Sequence, residues 1–331
     1  MAESFYDIGK MEAIRLLYEG TPFTPFSSPR FTTGQNSTVI TAQAMKVEGI
    51  DFDLVYFPLK HLGYKAVVAV TGELYAAMAT PKVLSVILGV SSKLDIKEIR
   101  ELWSGIVTGA REFGYSDVAL DLIPSPNGLT ISISASGELT QLTASRTPKP
   151  KTKDLLCVSG RLGAAYLGLR VLENARKTFD AEGTQPDLEK YRMIVGAYLK
   201  PELEAGLPER LASAEIYPSA GRFITRGLSD AVKSIARETG LGAKVYADKI
   251  PFEGNSFALG KELDIDPVSA AMNGGDDCQL LFAVPILSFE KFRRDFQTFD
   301  IIGHLAEPDA GEVLVTPDGV ELPLRAQGWS D

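Results

Sequence analysis

The sequence predicts an α/β protein of two domains that meet near residue 150. Three observations support this prediction. The first half alternates strand-like and helix-like segments, and the second half continues with a similar mixture. Between the halves lies SRTPKPKTK at 145–153, a segment of proline and lysine with nothing to bury, which is typical of a linker. Since 331 residues suffice for two domains of medium size, we expect them at 1–148 and 149–331.

The charge, the apolar stretches and the cysteines of the chain indicate what class of protein it is and where it functions. A formal net charge of −9 argues against a general binder of nucleic acid or of anionic membranes. The N-terminus has no charged and then apolar signal segment, and no apolar stretch reaches bilayer length. Cys157 and Cys278 lie in apolar, strand-like runs, where buried free thiols are expected. We therefore expect a cytoplasmic protein.

The stretch 47–81 organises the first half. Ile50, Phe52 and Leu54 alternate with Asp51 and Asp53, which predicts a strand edge that carries carboxylates. An apolar run then continues from residue 63 and stops before Pro81. Its β-branched residues at 67–70 favour a strand, but its length favours one buried helix.

The remaining elements follow from hydrophobic periodicity. In the first half we predict helices at 3–19 and 96–113, and strands at 37–48, 83–90, 118–123 and 129–134. The order from residue 37 is thus strand, helix, strand, helix, strand, strand. In the second half we predict strands at 155–159, 243–246, 280–284 and 301–304, and helices at 164–178, 186–198, 203–213, 227–238 and 289–296.

Several motifs resemble one known family. VEGIDF at 47–52 and GYKA at 63–66 are similar to motifs of the thiamine-monophosphate kinases, members of the aminoimidazole-ribonucleotide-synthetase-like (PurM-like) superfamily. VSGRLGAA at 158–165 and NGGDDCQLLF at 273–282 extend the resemblance along nearly the whole chain. It implies two α/β domains, with a mixed N-terminal sheet that packs against that of a second chain as a homodimeric barrel. It also implies ATP and magnesium as cofactors if the family activity survives, and a small phosphorylated molecule or a nucleotide as partner.

The metal-binding aspartates of that family are mostly replaced. Its Gly-Asp-Asp-Ala-Ala-Val motif falls on 34–39, where Gln35 and Asn36 stand for the two aspartates. A further family aspartate falls on Ala44. Its Asp-Ile-Ser-Asp-Gly-Leu motif falls on 223–228, where Phe223 and Arg226 stand for aspartates, so five of seven expected carboxylates are missing. Magnesium needs hard oxygen ligands to neutralise a triphosphate, so this site is degenerate.

Two carboxylates survive at the family positions. Glu73 falls on the aspartate of a Leu-Ser-Asp motif, and Asp121 falls on that of Gly-Gly-Asp-Thr, although the glycines are gone. They are weak metal candidates, and we predict that no metal is bound. His61 and His304 have no second histidine or cysteine at ligand spacing.

Ten residues are candidates for ligand binding because they fall on family motifs or, like Arg226, replace motif residues. Those for the nucleotide cofactor are Gly34, Asn36, Asp121, Gly160, Arg226 and Gly227, and those for the substrate are Asp51, Asp276, Asp277 and Trp329. Simpler explanations stand beside these roles. Asp51 has the spacing of a solvated strand face, and the glycines at 274–275 are typical of a turn. Arg226 either binds phosphate bidentately or forms an ion pair that fills the vacated position.

The sequence is compatible with three functions, and it identifies no catalytic residue. The preferred one is a divergent thiamine-monophosphate kinase-like protein with impaired phosphoryl transfer, because a lost magnesium ligand forfeits transition-state stabilisation. The second is an active ATP-dependent enzyme with a metal site rebuilt around Glu73, Asp121 and the acidic pair at 276–277. The third is a non-enzymatic module that binds phosphate or nucleotide, with Arg226 or Lys46 in place of metal.

Overall fold

The computed structural model describes residues 5–26, 28–183 and 186–329. These residues form two compact units. The first comprises the described residues up to Leu74, together with Met78–Gln141 and Glu204–Gly206. The second comprises Tyr75–Ala77, Leu142–Leu203 and the described residues from Leu207 onward. The predicted domain limits at 148 and 149 stay a prediction.

The first unit contains a mixed four-stranded sheet in the order β1-β4-β2-β3. Its elements are α1 (Phe5–Ile8), α2 (Lys10–Tyr18), β1 (Thr38–Val47), α3 (Leu59–Ala76), β2 (Thr80–Val90), α4 (Ile96–Glu112), β3 (Asp117–Pro124) and β4 (Thr130–Leu139). Strand β4 pairs antiparallel with β1 and β2, while β2 pairs parallel with β3. The predicted order of strands and helices is confirmed.

Helix α3 confirms the prediction of one buried helix. Val67, Val68 and Val70 have no exposed surface, so β-branched side chains here fill the core from within a helix. A helix that is apolar on most of its faces is stable only when it is surrounded by other elements. Burial therefore outweighs the weak strand preference of these residues.

Two predictions for the first half are wrong. The N-terminal helix is broken at Gly9, whose φ of 78° lies outside the helical region, and residues 3 and 4 of that prediction lie outside the described residues. The segment around Asp51 and Asp53 is a series of turns and not a strand, with a single bridge between Glu48 and Phe52. The carboxylate of Asp51 accepts a hydrogen bond from the N–H of Val47 at 2.8 Å. Such a bond between a side chain and the nearby backbone competes with the hydrogen bonds of strand pairing.

The second unit contains a seven-stranded sheet in the order β11-β10-β7-β9-β5-β8-β6. Its elements are α5 (Gln141–Arg146), β5 (Leu155–Val158), α6 (Ala164–Glu182), α7 (Arg192–Leu199), α8 (Leu207–Ser213), β6 (Ala220–Ile224), α9 (Leu228–Thr239), β7 (Gly242–Tyr246), α10 (Ser256–Leu263), α11 (Pro267–Asn273), β8 (Gln279–Val284), α12 (Phe289–Asp295), β9 (Asp300–Ala306), β10 (Glu312–Val315) and β11 (Glu321–Pro323).

The sequence prediction for this half missed several elements. Strands β6, β10 and β11 and helices α5, α10 and α11 were not expected. The first residues of the expected linker, at 145–146, end helix α5. Helix α8 begins at Leu207 rather than at 203, and α7 begins at Arg192 after a short 3-10 turn. Both cysteines are buried free thiols as predicted, and burial raises the pKa of Cys157 to about 12.

The core of this unit fixes the orientation of α9. Leu228, Val232 and Ile235 are buried in a cluster that also contains residues of β5, β7, β8 and β9. The opposite face of α9, which carries Arg237, is therefore directed towards solvent. Among the helices of the described residues, none is long and apolar enough to cross a bilayer.

Candidate functional site

In the first unit, Glu138 of β4 anchors the loop that contains Gly34. The N–H of Gly34 donates to Glu138 Oε1 at 2.6 Å, and Lys82 Nζ lies 3.3 Å from Oε2. The bonds from Gly34 and from the hydroxyl of Ser37, followed by that from Lys82, hold the pKa of Glu138 below its usual value. Asn36 is exposed in this loop with a φ of 57°, which asparagine tolerates better than most residues. Sequence reasoning missed Glu138, because nothing local marks it as a partner of residue 34.

Asp121, which the family resemblance predicts to be an unchanged carboxylate, forms an ion pair with Lys10 of α2. Glu73 is partly buried on α3. Asp51 lies 3.7 Å from Lys46 Nζ as well as accepting the N–H of Val47. Asp121 and Asp51 therefore already have cationic side chains of the protein beside them.

In the second unit, three loops named in the sequence analysis come together at the ends of β5, β6 and β8. The N–H of Asp276 donates to Thr225 O at 2.9 Å, and the N–H of Cys278 donates to Ile224 O at 2.9 Å. Gly227 has a φ of 93°, and a Cβ there would lie 2.4 Å from Met272 O. Only glycine fits such a close approach of backbone.

The side chain of Asp277 binds the backbone at the start of α6. This residue is only 4% exposed, and its carboxylate accepts the N–H of Gly163 at 2.9 Å and that of Ala165 at 3.3 Å. Gly160 is nearby, because a Cβ on it would lie 2.5 Å from the side chain of Gln279. The carboxylate of Asp277 thus caps a helix, while its predicted role in substrate binding, like that of Asp276, stays a prediction.

Arg226 and Trp329 share one carboxylate. Arg226 Nε lies 3.4 Å from Asp230 Oδ2, and Trp329 Nε1 donates to Asp230 Oδ1 at 2.8 Å. Lys233 Nζ and Arg237 Cζ lie 5.5 and 5.4 Å from the centre of the Trp329 ring. The C-terminal segment is therefore held on the exposed face of α9 by a hydrogen bond and two cation–π contacts.

A cleft of about 500 Å³ lies along this face. It is lined by residues of β6, α9 and the C-terminal segment, which are Arg222, Arg226, Asp230, Ser234, Arg237, Glu238, Gln327, Gly328 and Trp329. Three guanidinium groups outnumber two carboxylates in a protein whose net charge is −9. The cleft thus presents positive charge to an anion. Sequence reasoning found Arg226 and Trp329 but missed Arg222 and Arg237, although the spacing of Asp230, Ser234 and Arg237 marks one polar helix face.

The described residues do not fit a magnesium pair. Within the ranges that the structure describes, no three His, Cys, Asp or Glu side chains lie together as possible ligands. Of the two carboxylates that the family resemblance predicts to be retained, Asp121 forms an ion pair with Lys10.

Comparison with known proteins agrees with this fold. Residues 31–139 match the N-terminal domain of AIR synthase related proteins. Over 317 residues the chain is 26% identical to thiamine-monophosphate kinase of Methanopyrus kandleri, covering 92% of both chains. It is 22% identical to that of Bacillus subtilis, covering 97% of this chain and 99% of the relative. The chain thus resembles thiamine-monophosphate kinases along nearly its whole length.

Solved structures place this chain in the PurM-like α/β fold. It superposes on AaThiL complexed with AMPPCP and TMP with a TM-score of 0.69, at 18% identity and 96% coverage of both chains. It superposes equally on the hydrogenase maturation protein HypE in complex with ATP, with a TM-score of 0.69, 17% identity and coverage of 98% and 97%. The predicted fold class is confirmed, while the barrel between two chains stays a prediction.

Proposed function

We propose that this chain is a divergent thiamine-monophosphate kinase-like protein that has lost magnesium-dependent phosphoryl transfer and retains a cleft for a small phosphorylated molecule. The observation that carries the proposal is the ion pair between Lys10 and Asp121. The one unchanged family aspartate is neutralised by a side chain of the protein. A magnesium ion would have to displace that ammonium group to use the same carboxylate.

Charge at the other family positions supports the same conclusion. Gln35 and Asn36 bring no charge, Ala44 has no ligand atom, and Arg226 is cationic. Magnesium bridges the phosphates of a nucleotide and neutralises the charge that develops during transfer, so the loss of its ligands removes several kcal/mol of stabilisation.

The cleft supports retained binding of a phosphorylated molecule. Arg226 is 77% exposed, and a guanidinium group matches phosphate oxygens bidentately. AaThiL is solved with AMPPCP and TMP, and HypE with ATP, so we expect a phosphorylated ligand for this chain. The non-enzymatic binding module is therefore the second candidate function, and the arginines of the cleft favour it.

Thermal unfolding with ATP tests the proposal, with and without magnesium and with magnesium alone as the control. We expect stabilisation by phosphate compounds in the presence of EDTA and no additional shift with magnesium. A magnesium-dependent shift would instead support the active enzyme with a metal site rebuilt around Glu73, Asp121 and the acidic pair at 276–277.

We also propose a cytoplasmic homodimer that forms through the N-terminal sheet. Strand β1 pairs with β4 along one edge only, and its Val39 and Met45 are 50% and 60% exposed. An edge strand with exposed apolar side chains is normally covered by another chain or element. Domain limits at 148 and 149 belong to this proposal as well, because 147–153 forms neither helix nor strand.

A further inference from the structure

The cleft along α9 has a cationic group near each end, and we infer that it binds an elongated small molecule with one phosphate and a second anionic group at its far end, without metal. This inference rests on the proposed function, because it specifies the ligand of the same cleft. It differs from a single-phosphate site in requiring both ends of the cleft.

The geometry of α9 separates the two ends. Asp230, Ser234 and Arg237 are spaced at i, i+4 and i+7 and so line one face of the helix. From Leu228 to Arg237 the helix rises about 14 Å, and Arg226 precedes the first turn. This rise is longer than a phosphate group, so we place the two anions of the ligand at opposite ends of the helix.

At the N-terminal end of the cleft, Arg226 has hydrogen-bond donors available for a ligand. Arg226 contacts Asp230 only through Nε at 3.4 Å, which is longer than a strong charge-assisted bond. Its side chain is mostly exposed. The terminal nitrogens of this guanidinium can therefore bind two oxygens of one phosphate group.

The other end carries Arg237 and Arg222. Arg222 is paired with Glu238 at 2.6 Å. Arg237 contacts the ring of Trp329, and among the residues that the structure describes no carboxylate forms an ion pair with it. Among the described side chains, the positive charge of Arg237 at the end opposite Arg226 thus has no carboxylate partner.

Trp329 connects the two ends. Its ring packs under Lys233 and Arg237 while its Nε1 is bonded to Asp230, so it forms part of the wall between them. The volume of about 500 Å³ lies in the range of small-molecule sites. A ligand of this class would span the ring and place an anion at each arginine.

Calorimetric titration in EDTA tests the inference with fructose 1,6-bisphosphate and fructose 6-phosphate as matched ligands. We expect the bisphosphate to bind the wild-type chain at least tenfold more tightly than the monophosphate. Arg226→Gln and Arg237→Gln should each reduce that ratio to below threefold. The control is Arg192→Gln, which removes an exposed arginine at the start of α7 that pairs with Glu189 at 3.7 Å, and it should keep the full ratio.

Fluorescence gives a second measurement that locates the ligand. The chain has two tryptophans, and Trp103 is buried in the first unit. A change in emission on adding the bisphosphate should disappear in Trp329→Phe. Equal affinity for the two ligands, or an unchanged ratio in Arg237→Gln, overturns the inference and leaves the proposed function standing. Failure of every phosphate compound to bind overturns both.

Discussion

At the scale of single residues, Asp230 determines what Arg226 can bind. Its carboxylate lies between the guanidinium group of Arg226 and the indole N–H of Trp329. A phosphate at Arg226 would therefore be placed close to a negative charge that already satisfies part of the same guanidinium group. Asp230 is thus an internal competitor of the ligand, and also the anchor of the C-terminal segment.

Replacing this carboxylate by an amide separates the two roles. In Asp230→Asn, the amide oxygen can still accept from Trp329, but the charge next to Arg226 is gone. Since one charge at about 4 Å is worth about 1 kcal/mol in water, the affinity for inorganic phosphate in EDTA should rise by about fivefold. Calorimetry checks this, with the surface variant Asp248→Asn as control. Unchanged or weaker binding in Asp230→Asn would show that Arg226 does not hold the anion.

Glu138 makes the stability of the first unit depend on pH. Its pKa in the folded chain is lowered by the N–H of Gly34, the hydroxyl of Ser37 and Lys82. A lowered folded pKa gives stability that is fully present above the unfolded pKa of about 4.3 and is lost as pH falls through the folded value.

The variant Glu138→Gln tests this linkage. The wild-type chain should have a higher melting temperature than the variant at pH 7, and the difference should shrink as pH falls below about 4.3. Circular dichroism at a series of pH values measures both. A difference that stays constant down to pH 3 would mean that the carboxylate charge contributes nothing.

At the scale of elements, α9 and its two flanking glycines position the cleft. Gly227 precedes the helix with a φ of 93°, packed against Met272 O, while Gly240 follows it with a φ of 68° and open space around it. Both conformations favour glycine, but only Gly227 has no room for a Cβ. The approach of the loop at 225–227 to the end of α11 therefore depends on Gly227.

Replacing each of these two glycines by alanine gives a matched pair of variants. Gly240→Ala should cost about 1 kcal/mol, from the left-handed backbone alone. Gly227→Ala adds a steric clash and should lower the free energy of unfolding by about 3 kcal/mol or more. Urea denaturation measures the difference. Equal losses would contradict the close packing of these loops.

Two segments of the first unit show what the sequence can and cannot predict. Helix α3 was predictable because an apolar run of this length, ended by Pro81, can fold in few ways other than as a buried helix. The strand expected around Asp51 does not form, although the apolar and acidic residues do alternate there. The carboxylate of Asp51 instead accepts a hydrogen bond from the backbone of Val47. Local pattern does not show which of two such tendencies is stronger.

The candidate site was predictable only where a residue falls on a family motif. Arg226 and Trp329 were found in this way. Lys10 and Glu138 were not, because their partners Asp121 and Gly34 are more than a hundred residues away in the chain. Such pairs depend on tertiary packing, which periodicity and spacing do not specify.

At the scale of the whole molecule, the exposed edge of the first sheet predicts self-association. We expect a dimer in light scattering at micromolar concentration. Replacing the exposed apolar residue Met45 of β1 by lysine should shift the chain towards monomer, because charge on an edge strand disfavours pairing. Monomeric behaviour of the wild-type chain would count against the proposed homodimer.

We propose that magnesium-dependent phosphoryl transfer has been lost, and steady-state phosphorylation of thiamine monophosphate by magnesium-ATP is the most direct test of this claim. With Lys10 on Asp121 and Arg226 in place of an aspartate, we predict no product formation above the background without protein. Turnover at a rate usual for enzymes, of order 1–10³ per second, would contradict the claim.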